Sequence, residues 1–79
     1  MMKPKRKDII ALLPHVDALE IKDEDNLITQ WGLSSIDIID IVIRIEKRYH
    51  IVIDISDLTI DNFENIAQIN NLIKKYLMK

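Results

Sequence analysis

Cysteine is absent from the 79 residues, glycine occurs once, proline twice, and aromatic side chains make up 5%. With no thiol, the chain encodes no disulfide, no thiolate metal ligand and no cysteine nucleophile, so side-chain packing alone must hold it together. The lone Gly32 leaves too few small residues around the Ser34-Ser35 pair for the sharp elbow that presents a hydrolase serine. His15 and His50 are far apart with no neighbouring histidine or cysteine, which supports no metal site and makes them surface or capping residues. Trp31 and Tyr49 are not interleaved with basic residues, so stacking on single-stranded nucleic acid has no basis. No apolar run approaches the length of a membrane span, and the start Met1-Met2-Lys3-Pro4-Lys5-Arg6-Lys7 leads into no signal-peptide core. A single cytoplasmic domain over residues 1–79, monomeric and free of any membrane, is the expectation. A chain this short buries about 60% of its unfolded surface, too little to wall a deep active site, so an enzyme is not expected.

Net charge is small in total and segregated in detail. The formal value is −2, yet residues 17–64 hold twelve acids against four bases, while both ends are basic. An acidic middle opposes nucleic acid as a partner and favours basic protein surfaces. The basic run from Lys3 to Lys7 reads as a frayed, solvated terminus.

What is abundant is isoleucine at helical spacing. Ile9, Leu12, Leu13 and Val16 predict a short first helix over about Lys5 to Leu13, ended by Pro14. Residues 17–34 read as a long loop in which Ile21, Leu27, Ile28 and Trp31 anchor a polar cluster. A second helix is predicted over Ser35 to Tyr49, apolar around most of its girth and therefore central, with Asp37, Asp40, Arg44 and Lys47 as a narrow polar stripe. Ile51-Val52-Ile53 has strand propensity but no partner strand, and reads as an extended link. Thr59 is expected to cap one short helical turn through Phe63, and Asn65 a last helix burying Ile66, Ile69, Leu72, Ile73 and Tyr76. The expected fold is all-α: four helices, the third very short. Its core includes Ile39, Val42, Ile43, Ile66 and Ile69.

Within this frame, Trp31-Gly32-Leu33-Ser34-Ser35-Ile36-Asp37 stands out. Glycine permits a tight turn, and Ser34 with Asp37 three residues on forms a capping box for the second helix. A serine hydroxyl is thereby held at the positively polarised end of a helix, a favourable place for a phosphate ester. The same pattern opens many helices whose only task is folding.

The segment resembles the acyl carrier and peptidyl carrier proteins, whose signature is an aliphatic-Gly-x-Asp-Ser-Leu loop ahead of the second helix. Trp31 to Ile36 falls on that signature without a gap, with Ser34 in place of the usual Asp and Trp31 in place of the usual Leu. Leu27, Asp37, Asp40, the Glu46-Lys47-Arg48-Tyr49 end of the helix, and Phe63-Glu64-Asn65-Ile66 extend the likeness from Asp25 onward. The resemblance implies a four-helix bundle of the acyl-carrier type with a long loop between helices 1 and 2. It implies that a phosphopantetheinyl transferase, using coenzyme A and Mg²⁺, attaches 4'-phosphopantetheine to Ser35. Ser34 is a second candidate, with the Ser-then-Ile order favouring Ser35. Acyl or aminoacyl groups would then ride as thioesters between the enzymes that activate and transfer them, in fatty-acid, polyketide or nonribosomal-peptide biosynthesis or in cell-wall modification. Ser34, Ile36, Asp37, Asp40 and Glu46 would serve partner recognition, and the carrier itself would catalyse nothing. Two alternatives stay open: a degenerate carrier-like module that binds proteins without being modified, and a small DNA-binding helical domain that uses the basic ends.

Overall fold

A computed structural model describes residues 4–78. Among them it contains three α-helices, α1 (Arg6–Ile10), α2 (Ser35–Tyr49) and α3 (Ile66–Leu77), two 3-10 turns (Ile55–Asp57 and Ile60–Phe63), and no strand. The fold is all-α, and the place expected for a short third helix is taken by the second 3-10 turn. Thr59 precedes that turn in extended conformation, but its side chain makes no capping bond.

The first helix ends earlier than the apolar spacing predicts. Its opening is fixed by the Lys5 amide, which donates to the Asp8 carboxylate at 2.9 Å. Leu12 and Leu13 then enter the core from a turn rather than from the helix. The basic N-terminal run is not frayed from Pro4 onward. Pro4 is buried, Arg6 Nε bonds Asp23 Oδ1 at 2.5 Å, and the same guanidinium donates to the Ile21 carbonyl. Met1 to Lys3 lie outside the described residues.

Residues 11–34 contain no helix, yet they are tied down at several points. Ile21, Leu27 and Leu33 are buried, and the Leu27 amide donates to the Glu64 carbonyl at 2.8 Å. The Ala67 amide donates to the Asp23 carbonyl at 3.3 Å, and Trp31 Nε1 to Asp25 at 3.1 Å. Backbone groups in a connection this long need such partners to be ordered. Gly32, at φ 71°, turns the chain immediately before α2, a backbone conformation that side-chain-bearing residues adopt only at a cost.

α1 packs on α3, and the Ile60–Phe63 turn packs on α3 as well. Ile9, Ile41, Ile45, Phe63, Ile66, Ile69 and Ile73 form the innermost layer. The expected burial of Ile66 and Ile69 is therefore observed, Val42 is half-buried, and Ile39 and Ile43 depart from expectation at 60% and 44% exposed. α2 is not wrapped on all sides. One apolar face meets the core through Ile41 and Ile45, while another is left open because only the short 3-10 segment stands opposite it. α2 ends at His50, whose left-handed backbone (φ 55°) turns the chain so that the next amide, that of Ile51, reaches back to the Glu46 carbonyl at 3.3 Å.

Candidate functional site

The start of α2 is built as its sequence requires. The Ser34 amide donates to Asp37 Oδ2 at 2.8 Å, its hydroxyl contacts the same oxygen at 3.1 Å, and the Asp37 amide returns a bond to Ser34 Oγ at 3.3 Å. The amide bond from Ser34 is the main reason the Asp37 carboxyl sits below the ordinary carboxylate range. Burial opposes that shift, while the Ser34 hydroxyl and the His15 imidazole, 3.9 Å away, add to it.

The two serines of the motif are therefore not equivalent. Ser34 Oγ is committed to the cap. Ser35, the first residue of the helix, is exposed, and no described residue hydrogen-bonds its hydroxyl. Steric freedom, an unengaged oxygen and the positive end of a 15-residue helix suit Ser35 to a bulky, anionic phosphodiester. The arrangement fits 4'-phosphopantetheine at Ser35 without displacing any existing bond.

Beside Ser35 opens a cavity of about 250 Å³. Its α2 wall is Ile38, Ile39, Val42 and Ile43; the facing wall is Leu58, Ile60 and Phe63, with Ile28 closing one side. Ser35 and Thr59 supply the only hydroxyls of the lining, which contains no charged residue. Helical periodicity alone assigns Ile39 and Ile43 to the core and attaches no role to Leu58 or Ile60. The available signal was an excess of isoleucine: α2 is apolar at seven of the ten positions from Ile36 to Ile45, more than one face against a small core can bury.

The remaining predicted site residues spread over α2. Ile36, next to Ser35, is exposed. Asp40 bonds Arg44 one turn on at 2.9 Å, so its charge is locally compensated. Glu46 accepts the Ile53 amide at 2.9 Å and holds the link that follows the helix. Among the described residues, no group of acids and histidines is placed to hold a metal ion, and no helix is long and apolar enough to cross a membrane.

Comparison with known proteins matches residues 7–73 to a family model described as a phosphopantetheine attachment site. An acyl carrier protein of Clostridium acetobutylicum is 32% identical over 76 residues, covering 96% of each chain. Acyl carrier proteins of Phytoplasma mali and of Aster yellows witches'-broom phytoplasma are 30% and 33% identical. These alignments cover 98% and 95% of this chain, and 89% and 96% of the respective relatives. No solved structure matches the chain.

Proposed function

Because the chain belongs to the carrier proteins with a phosphopantetheine attachment site, we propose that Ser35 Oγ carries the phosphopantetheine and that the cargo is an aliphatic acyl group held as a thioester. The covalent 4'-phosphopantetheine supplies the thiol that a chain with no cysteine lacks, and the protein catalyses no reaction of its own. The single observation that carries the choice of acyl over aminoacyl cargo is the cavity beside Ser35. Its lining is almost entirely aliphatic and aromatic, so a hydrocarbon chain gains by entering it, whereas an ammonium group would be desolvated with no charge to meet it. The volume of about 250 Å³ compares with about 150 Å³ for an apolar cavity that accommodates benzene, and so suits an aliphatic segment of roughly ten carbons.

The chain's own residues divide the remaining work. Ser34 and Asp37 hold the helix start and leave Ser35 free. Ile36 and Asp40 face solvent beside the attachment point and are the α2 groups within easiest reach of a modifying or acyl-handling enzyme.

The test is loading by a phosphopantetheinyl transferase with coenzyme A, read by intact mass and thiol titration. Unmodified protein gives no thiol even when denatured, and loaded protein gives one per chain. Ser35→Ala should abolish both signals. Ser34→Ala should still load, with about 1 kcal/mol lost from the cap. If Ser34→Ala fails to load while Ser35→Ala loads, the attachment point is Ser34. If the parent is loaded by no competent transferase, the unmodified protein-binding module replaces this reading.

A further inference from the structure

The two walls of the cavity beside Ser35 are held in place by different means. Ile38, Ile39, Val42 and Ile43 stand on the continuous helix α2, whereas Leu58 and Ile60 stand on a short loop and are themselves 45% and 66% exposed. Burial therefore does little to fix these two side chains, although Phe63 at the end of the loop is fully buried. What fixes them is polar and lies outside the cavity. The Asn62 side-chain amide donates to the Asp57 carbonyl at 2.8 Å and closes residues 57–62 into a loop. The Asp57 carboxylate is tied in turn to the end of α3. The Tyr76 hydroxyl donates to its Oδ2 at 2.5 Å, and Lys75 Nζ reaches both oxygens at 3.0 and 3.1 Å. The same hydroxyl accepts the Asp54 amide at 2.8 Å, so one tyrosine holds the Ile55–Asp57 turn at both ends.

This cluster is built to stay closed. Hydrogen bonding to Asp57 raises the pKa of both the Lys75 ammonium and the Tyr76 phenol, so the two donors keep their protons in neutral solution. Bonds that share one carboxylate support one another, and the loop resists displacement more than any single bond would allow. None of Asp57, Asn62, Lys75 and Tyr76 lines the cavity. An acyl chain that outgrows the volume of about 250 Å³ gains further burial only by displacing a wall. One wall is anchored in the core through Ile41 and Ile45, and the other by the cluster at Asp57.

Resting on the reading that an acyl chain enters this cavity, we propose that Tyr76 and Lys75, acting through Asp57, are positioning residues that fix the facing wall and so set the longest acyl chain the protein encloses.

Melting temperatures of the loaded protein carrying acyl chains from hexanoyl to tetradecanoyl test this. Each is read against the free-thiol form of the same variant, so that a general loss of stability cancels. In the parent the increment should grow with chain length up to about ten carbons and then level off. Tyr76→Phe keeps the ring and removes the hydroxyl. Its free-thiol form should melt below the parent's, and its increment should go on growing for at least about two carbons beyond the parent's limit. Lys75→Arg, which retains a cationic donor for Asp57, should keep the parent's limit. An unchanged limit in Tyr76→Phe overturns the proposal, because the hydroxyl then serves stability alone. So does a parent whose increment is still growing at tetradecanoyl, since its wall then yields without any substitution. Should Tyr76→Phe not fold, Asp57→Asn, which keeps the size of the side chain and loses its charge, decides by the same measure: a later limit supports the positioning role, and the parent's limit removes it. A parent that loads but gains no increment from any chain removes the cavity reading as well. A parent that never gains a thiol removes the carrier reading beneath both.

Discussion

Ile41 and Ile43 are the same residue two positions apart on one helix, and they end in opposite surroundings. Ile41 is fully buried between the helices, while Ile43 is 44% exposed at the cavity mouth. Burying an isoleucine side chain completely stabilises a fold by about 1.5–3 kcal/mol, so α2 forgoes part of that gain at Ile43 and more of it at Ile39. The core face and the cavity face have the same chemistry; they differ in what stands opposite. Ile41 and Ile45 belong to the buried layer that includes Ile9, Phe63 and the core residues of α3, whereas Ile39 and Ile43 line an open cavity whose facing wall is Leu58, Ile60 and Phe63. A contiguous apolar groove that a small protein leaves uncovered, as here beside Ser35, marks a place for something else to be covered.

That contrast is most sharply tested by stability. Ile41→Ala or Ile45→Ala should cost about 2–5 kcal/mol, a large share of the roughly 5–15 kcal/mol that holds a domain together. Ile39→Ala and Ile43→Ala should cost under about 1 kcal/mol, because little contact is lost. Urea denaturation midpoints measure both, and equal shifts on the two faces would mean that the cavity face is closed in solution.

A smaller effect is expected when cargo supplies the missing cover. Loaded protein carrying an octanoyl group should melt above loaded protein with a free thiol, since ligand held by the native state alone stabilises it. Ile39→Glu should remove that increment while barely moving the melting temperature of the unacylated form. An increment that survives the substitution would place the acyl chain elsewhere.

Substitutions at the two ends of α2 should ignore the distinction between faces. His50→Gly should stabilise the protein by about 0.5–1 kcal/mol, because a left-handed backbone is strained for histidine and not for glycine. A loss on thermal melting would show instead that the imidazole itself is needed there.

The smallest effect belongs to Asp37 and is confined to acid. Its folded pKa lies below the ordinary 3.8, so its contribution is present above that value and disappears as pH falls through the lower, folded one. The melting temperature of Asp37→Asn should therefore decline less steeply than that of the parent over this acid range. Parallel declines would assign the acid sensitivity to other carboxylates, Asp25 first, which is lowered by the Lys22 amide and the Trp31 indole.

The local features of this protein were legible in its residues because they need only near neighbours. Ser34 and Asp37 make their box across three residues, Asn65 caps α3 by accepting the Gln68 amide, and Ser35 to Tyr49 forms the second helix with the bounds its spacing indicates. The likeness to carrier proteins starts from the same short motif and extends from Asp25 onward, and residues 7–73 match the family model. The early end of α1, the 3-10 geometry of Ile60–Phe63 and the open face of α2 were not legible in this way. Hydrophobic periodicity reports that a side chain prefers to leave water, but whether it does depends on segments some twenty residues away, such as Leu58 and Ile60 facing Ile39 and Ile43. By itself the sequence determined the Ser34 and Asn65 caps, the long helix and the serine at its start, but not a Thr59 cap. Only the tertiary structure decided which isoleucines became core and which became the wall of a site, because burial is a relation between elements and not a property of one.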